Sequence, residues 1–494
     1  MTTVRRCTAA LAASAVLCVA FAPAATAGGD RSPAPEPTTL RTQLAGASAV
    51  RTGPSAPPSS GAPAKESAAS DAATIVIPPG LYGDKDPTKD GVWRQSLSML
   101  GQAAAQVRPA DQAVIWLRSQ QCASGAFPTF RADPAVPCDE KTPVDIRSTA
   151  AAIQALSSLG QQQLPMDHAM SWLRSVQNED GGWGRRPGTP SDATSTSLVI
   201  GGLTAAGVRP SSVRTRHNAP SPEGKHAFDA LVRLSIPCGT ASGADAGAFA
   251  YRADGSGRLT ADDSATAAAV LAGVGKRMVT SPVAPGTAPV CENMKGTETD
   301  PAADLPPERA ARNGASYLVA ALAGTGHLDR PAASGTEDGD GDDGGDSAPV
   351  PDFATTAAAV VALTTSGHGD RASVALEWLK QNCGAWAQAN GPTAYAQLIF
   401  AAHATGTDPR NFGGIDLVQR LNETGPTPKY IAPAPAPGTA TGTGPATGAA
   451  ATTAAAESPL GGADGRGVLW LVGIALTGGI GLGYLLGHRR KARR

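Results

Sequence analysis

An internal repeat between about residues 90 and 425 constrains the fold of this 494-residue chain more than any other feature. Each copy has a helix-length apolar pattern, a glycine-rich turn that usually carries an aromatic residue, and a second, alanine-rich apolar helix. The first helices are expected at 111–121, 167–177, 226–231, 312–318 and 373–379, and the turns at 125–127, 181–183, 247–249, 326–328 and 384–386.

The second helices share an acidic residue and a threonine four positions later. An oxygen-bearing side chain in the first place can cap the free amides of a helix start, and each helix is expected to end near a glycine, at positions 160, 207, 275, 367 and 406. We therefore expect the recurring acids to serve the scaffold first. The pairs are Asp145 and Thr149, Asp192 and Thr196, Asp262 and Thr266, and Asp352 and Thr356, with Asn390 in the acidic place of the fifth copy.

Half-repeats flank the five copies. Residues 90–101 look like a lone second helix, and residues 412–421 look like a lone first helix. Five pairs and two halves make six hairpins. An open solenoid needs capped ends, whereas a ring can close by pairing its two halves, so the sequence predicts an all-α protein, a closed α/α toroid of six helical hairpins over residues 90–425.

The repeats resemble the prenyltransferase and squalene oxidase family, whose QW motif pairs a glutamine with an aromatic residue after a glycine turn. The second copy carries Trp172, Gln177 and Trp183, and the first carries Trp116, Gln121 and Phe127. The fifth copy keeps Trp378 and Trp386 but has Cys383 in the glutamine place. The resemblance implies an α/α toroid, a fold shared by squalene cyclases, protein prenyltransferase β subunits, complement thioester domains and corrinoid carriers of the intrinsic factor type.

Catalysis of the squalene cyclase kind would need a strong acid, which that family supplies from a DxDD motif at a helix start. The matching place here holds Asp262 and Asp263, but Thr260 replaces the first acid, and a helix cap explains the same residues. Residues 340–343 spell DxDD inside the acidic run 337–346, which has no helical context. The chain also holds only 21 aromatic residues with which to line a carbocation cavity. No catalytic residue is therefore favoured.

Other chemistry is also unsupported by the sequence. No Asp-x-Cys occurs for a prenyltransferase zinc site, no thioester motif is present, and His168, His226 and His403 show no ligand spacing, so we predict no metal and no cofactor. The net charge of −1 gives no field for gathering nucleic acid.

The two ends of the chain predict a membrane-anchored surface protein. Residues 1–27 have the pattern of a secretory signal peptide, and residues 467–487 are apolar enough for one transmembrane helix, followed by a basic cytoplasmic tail at 488–494. Residues 28–89 and 426–466 are rich in alanine and proline with serine, threonine and glycine, and are expected to be disordered spacers.

Five cysteines remain outside the signal peptide, and an extracellular location favours disulfides. Sequence proximity suggests Cys122 with Cys138 and Cys238 with Cys291, which leaves Cys383 free.

Together these features predict a cell-surface toroid, held by one C-terminal span with its body outside the cell. It would bind a ligand or partner without catalysis. The resemblance offers a corrinoid or another bulky apolar molecule as the ligand. A terpenoid-cyclase-like or prenyltransferase-like enzyme acting on an isoprenoid lipid, and a purely structural surface protein, are the alternatives.

Overall fold

Helices dominate the described chain, as the repeat predicts. The computed structural model describes residues 77–160, 162–215, 224–293, 305–330 and 348–432. Its helices are α1 (Gly91–Ala104), α2 (Asp111–Ser119), α3 (Ile146–Leu159), α4 (Gln163–Ser175), α5 (Ala193–Ala205), α6 (Ala227–Val232), α7 (Asp263–Gly273), α8 (Pro307–Leu322), α9 (Phe353–Thr365), α10 (Ser373–Thr405) and α11 (Leu417–Glu423), with 3-10 turns at Pro210–Ser212, Thr240–Asp245 and Gly369–Ala372. Short antiparallel pairs join β1 (Val107–Arg108) to β4 (Tyr430–Ile431) and β2 (Asp329–Arg330) to β3 (Val350–Pro351).

Six helical segments of the described chain follow one another around a ring. Helix α1 packs on α3, α3 on α5, α5 on α7, α7 on α9, α9 on α10, and α10 returns to α1. These inner helices are rich in alanine, which lets neighbouring backbones approach closely. The other helices pack outside them: α2 on α1, α4 on α3, α6 on α5, α8 on α7 and α11 on α10.

Two predicted features of the fifth repeat are wrong. The turn expected at 384–386 is helical, because α10 continues from Ser373 and bends only at Gly391, where φ is 61° and the next residue is Pro392. Proline cannot donate the backbone hydrogen bond that would carry the helix straight through. Asn390 therefore does not cap the inner helix, and its side-chain amide donates to the Trp386 carbonyl at 2.9 Å.

The folded body also extends beyond the predicted limits of 90 and 425. Residues 77–89, expected to be part of a disordered spacer, pack into the body, and Leu81 and Tyr82 are buried. The Tyr82 hydroxyl donates to Gln102 Oε1 at 2.7 Å. On the other side, residues 426–432 run back along the body and end in β4. The sequence does not reveal this extension, because the turn around Tyr82 is short and no repeat precedes it with which its pattern could be compared.

The ring closes through contacts between its two ends. The Gly83 amide donates to the Thr424 carbonyl at 2.7 Å, and the Gln102 side-chain amide donates to Asn422 Oδ1 at 2.8 Å. Strands β1 and β4 add a further link. Gly101 lets α1 approach α10, since a Cβ there would lie 3.1 Å from the Ala396 Cα.

A segment that we name the strap, residues 276–293, leaves the end of α7 and crosses the end of the ring where the inner helices terminate. The Met278 amide donates to Gln154 Oε1 at 3.0 Å, and the Gly286 amide donates to the Gly367 carbonyl at 2.6 Å. Cys291, near the far end of the strap, is bonded to Cys238.

Both predicted disulfides are confirmed. Cys122 is bonded to Cys138 and Cys238 to Cys291, and Cys383 is free and buried. Burial raises the pKa of the Cys383 thiol to about 11. This cysteine is therefore an apolar core residue in α10 and is not poised for reaction.

Several sequence predictions concern residues outside the described ranges. These are the signal peptide at 1–27, the spacers apart from 77–89 and 426–432, the acidic run 337–346, the transmembrane segment at 467–487 and the tail at 488–494. Among the residues that the structure does describe, no helix is both long and apolar enough to cross a bilayer.

Ring closure at Gly101 can be tested by substitution. Gly101→Val places a branched side chain against the α10 backbone and should lower the free energy of unfolding by about 1–3 kcal/mol, measured by urea denaturation. Gly384→Val is the matched control, because a Cβ there meets only the Ile415 side chain at 3.5 Å. Equal effects of the two substitutions would contradict the close α1–α10 contact.

Candidate functional site

The recurring Asp and Thr hold the start of four of the six inner helices, α3, α5, α7 and α9. Asp145, Asp192, Asp262 and Asp352 are N-caps whose carboxylates accept from the backbone amide three residues later, at 2.6–2.9 Å. The predicted capping role of these acids is confirmed. They are spread around the ring, one per helix.

The same residues tie each helix to its turn. The Asp262 amide donates to the Phe249 carbonyl at 3.0 Å, and the Phe249 amide donates to Thr266 Oγ1 at 2.8 Å. The Thr266 hydroxyl in turn lies 2.7 Å from the Asp262 carbonyl. The two amide bonds recur at Phe127 with Asp145 and Thr149, Trp183 with Asp192 and Thr196, and Leu328 with Asp352 and Thr356. The Thr149 and Thr356 hydroxyls also donate to the aspartate carbonyls, whereas the Thr196 hydroxyl donates to the Trp183 carbonyl.

Neighbouring repeats supply cations to two of these carboxylates. Arg147 donates from Nη2 to Asp192 at 3.2 Å and to the Tyr251 hydroxyl at 2.9 Å, and Arg185 contacts Asp145 at 3.3 Å. Because each carboxylate accepts a helix amide and an arginine, its hydrogen-bonding capacity is largely used by the scaffold.

The two acids of the alternative catalytic hypothesis differ in position. Asp262 is the N-cap of α7 and accepts from the Ala265 amide at 2.6 Å. Asp263 accepts a hydrogen bond from the Tyr317 hydroxyl of α8 at 2.6 Å, so its carboxyl meets the outer layer. Desolvation raises the pKa of Asp263, the Tyr317 hydrogen bond partly offsets this, and repulsion from Asp262 adds to it. Asp263 does not line the central cavity described below.

The residues of the QW motif connect the glycine turns to the outer helices through hydrogen bonds. Gln177 donates from Nε2 to the Gly181 carbonyl at 2.7 Å, and Gln121 donates to the Gly125 and Pro165 carbonyls at 3.0 and 2.8 Å. Trp183 is fully buried, and its indole donates to the Leu173 carbonyl at 2.8 Å. Trp116, Trp172 and Phe127 are buried beside them.

The fifth repeat uses its aromatic residues differently. Trp378 and Trp386 lie on the first half of α10 and pack against the Phe353 ring, with centroids 4.8 and 5.3 Å away. His327 packs on Trp378 at 4.4 Å. These rings join the outer layer to the start of α9, and none of them lines the central cavity.

The sequence-selected histidines are not brought together. His168 and His226 occupy matching places, since their carbonyls face Gly125 and Gly181 of the preceding repeat. His403 lies near the end of α10, where desolvation lowers its pKa. The described residues contain no group of three or more His, Cys, Asp and Glu placed to hold a metal ion.

A cavity of about 180 Å³ lies at the axis of the ring, and every inner helix contributes to it. Its wall is mostly apolar and built from small side chains. The aromatic lining residues come from α1 and α10, and the strap supplies two cations and a methionine. The principal lining residues are Trp93, Leu97, Gln154, Ser197, Gly201, Ala267, Leu271, Lys276, Arg277, Met278, Ala358, Val361 and Phe400.

Two polar side chains in this wall each carry an atom that has no hydrogen-bond partner within the part of the chain that the structure describes. Gln154 is only 2% exposed and Ser197 only 6%. Gln154 Oε1 accepts from Met278, but neither Gln154 Nε2 nor Ser197 Oγ has a hydrogen-bond partner among the described residues. A buried polar group without a partner costs about 1–3 kcal/mol, so its presence needs a reason.

Sequence reasoning missed every residue of this cavity. Gln154 interrupts an alanine-rich helix and Ser197 belongs to a Thr-Ser-Thr-Ser run, and the helical period alone places them only on a buried face. A glutamine at the ninth position of α3, where every later residue and all but Arg147 of the earlier ones are small or apolar, was the one available signal.

The comparison with protein families agrees with this geometry. The model of the prenyltransferase alpha-alpha toroid domain matches residues 93–225. This segment is similar to the prenyltransferase alpha-alpha toroid domain. The resemblance inferred from the QW residues is thereby confirmed. No curated protein matches the chain.

The toroid architecture continues past the matched segment. Residues 93–225 contain α1 to α5, whereas the Asp–Thr tie recurs at α7 and α9. The cavity draws on both parts, with Gln154 and Ser197 inside the matched segment and the strap outside it.

The environment of Asp263 predicts a specific pH dependence. The pKa of Asp263 in the folded protein lies above its ordinary value, so the folded protein binds the carboxyl proton more tightly than the unfolded chain does. The free energy of unfolding therefore falls as the pH rises from the ordinary pKa through the raised pKa. Asp263→Asn should therefore gain stability relative to the wild type between about pH 4 and pH 7, as measured by urea denaturation.

Asp254→Asn is the control with the opposite sign. Hydrogen bonds from Ser256 hold the pKa of Asp254 at about 2, so its contribution is present at neutral pH and is lost as the pH falls toward that value. If Asp263→Asn lost stability in the same pH range as Asp254→Asn, the assigned burial of Asp263 would be wrong.

Proposed function

We propose that this protein is a cell-surface binding protein that holds a compact, largely apolar ligand in the central cavity of its toroid without transforming it. The observation that supports this best is the cavity itself, which has a mostly apolar wall and two buried polar atoms, Gln154 Nε2 and Ser197 Oγ, that have no hydrogen-bond partner among the described residues. Ligand sites generally combine an apolar lining with a few placed polar groups.

The size of the cavity limits the part of a ligand that can enter it. In another protein an apolar cavity of about 150 Å³ accepts benzene, so 180 Å³ suits a molecule of one ring or a short branched chain. A corrinoid, one ligand class offered by the family resemblance, has a macrocycle far wider than this and would have to bind on the rim.

Absence of catalysis is part of the proposal, and the position of the acids supports it. Asp262 is engaged as a helix cap, and Asp263 meets Tyr317 of the outer layer. A cyclase-like enzyme would instead need an acid aimed into the cavity at the substrate. The enzyme alternative nevertheless remains the principal competitor in the test below.

The cell-surface location is likewise proposed. Two disulfides in a body of this size are typical of proteins that fold outside the reducing cytosol. The signal-like segment 1–27 and the apolar segment 467–487 would deliver and anchor that body.

The test is identification of the molecule that accompanies the protein. The full chain, purified from native membranes, should carry a compact molecule at close to one per chain by mass spectrometry. Ala358→Phe should remove it and weaken benzene binding at least tenfold, because Ala358 is exposed within the cavity wall and a ring there fills the space. Ala320→Phe, at an exposed position on outer helix α8, is the matched control.

The competing functions predict other results. Turnover of squalene-like isoprenoids that is lost in Asp262→Asn would replace the proposal with the enzyme. A protein that carries no molecule and binds no benzene would favour the structural alternative.

A further inference from the structure

One side of the cavity carries polar groups that can donate hydrogen bonds. Gln154 projects from α3 over Gly201, since a Cβ at Gly201 would lie 3.0 Å from Gln154 Nε2. Ser197 lies one helical turn before Gly201 on the same face of α5. The two groups without partners therefore belong to the same side of the cavity.

The two polar groups without partners in the described chain favour a ligand that carries a hydrogen-bond acceptor. Because Oε1 of Gln154 is used by the Met278 amide, the free part of this side chain is Nε2, which can only donate. The Ser197 hydroxyl can also donate. A ligand that satisfies both must bring an oxygen or a similar acceptor to this point.

Two cations line the same cavity and adjoin Met278 in the chain. Lys276 and Arg277 line the cavity and immediately precede Met278, which bonds to Gln154. Neither makes an ion pair with any residue in the described ranges. The remaining wall is mostly apolar, with Trp93, Leu97, Val361 and Phe400 among its larger residues, and Thr194, Ser264 and Gln397 are its other polar members.

From this arrangement we infer that the ligand is a compact apolar carboxylate. Its carboxylate accepts from Gln154 Nε2 and Ser197 Oγ with Lys276 and Arg277 nearby, and its apolar body fills the space beside Trp93 and Phe400. This inference rests on the proposed binding function and narrows its ligand to one chemical class.

A matched set of small probes tests the class of ligand. Benzoate, benzamide, benzylamine and benzene have similar size and differ in their head group. In titration calorimetry with the full chain, benzoate should bind at least tenfold more tightly than benzamide and benzylamine, and its advantage should shrink at high salt because the two cations are exposed. If benzene or benzamide binds as tightly as benzoate, the carboxylate inference is wrong while the binding function stands. If no probe binds, both fail.

Substitutions test the individual groups. Ser197→Ala should lower benzoate affinity about tenfold without lowering the midpoint of thermal unfolding, because the hydroxyl it removes has no partner among the described residues. Benzene affinity should stay unchanged in this variant. A fall in thermal stability with unchanged benzoate affinity would show that the hydroxyl is structural and would overturn its assigned role.

The role of the cations needs its own comparison, since positive residues also suit the end of a helix such as α7. Lys276→Met with Arg277→Met should abolish the preference for benzoate over benzamide and its salt dependence. If only the stability changes and the preference persists, the cations act on the helix alone and the carboxylate assignment loses its charge partner. Lys380→Met, in an exposed ion pair with Glu377 on α10, is the control for loss of a charge.

Discussion

The tie between each turn and the following inner helix is the interaction on which the rest of the ring depends. One aspartate caps the helix with its carboxylate and binds the turn with its amide, and the threonine one turn later accepts from the turn's own amide. Loss of a cap alone costs about 1 kcal/mol, and here the same residue also fixes where the turn meets the helix. Four repeats use this arrangement, so the entry of four inner helices into the ring is set by the same short pattern.

The capping role of the aspartates determines where carboxylates lie in the ring. The carboxylates that the fold requires are spread around one end of the ring, one per helix, and their oxygens are engaged by amides or arginines. They therefore do not gather into an acidic centre. Polar groups free to act on a ligand must come from positions that the scaffold does not use, and Gln154 and Ser197 are such positions within the described chain.

The strap links the repeat architecture to the cavity. Its first residues close part of the axis, and its far end is held by the disulfide between Cys238 and Cys291. Because Met278 bonds to Gln154, the position of the strap also fixes which atom of that side chain remains available. A segment with no repeat partner thus determines the polarity of part of a cavity whose walls are made mostly by the repeats.

The sequence by itself determined the helical repeats, the capping acids and the glycine helix ends, because each depends on residues close together in the chain. Sequence proximity suggested both disulfide pairs, but Cys238 and Cys291 are 53 residues apart and only the fold brings them together. The count of half-repeats predicted a ring. The prediction for the fifth copy was wrong, because residues 384–386 are helical and the break in the helix falls at Gly391 and Pro392. The contribution of residues 77–89, the path of the strap and the cavity were decided only by tertiary structure. Gln154, Ser197 and Lys276 lie far apart in the sequence. They line one cavity only because the ring closes, and no local sequence pattern predicts this.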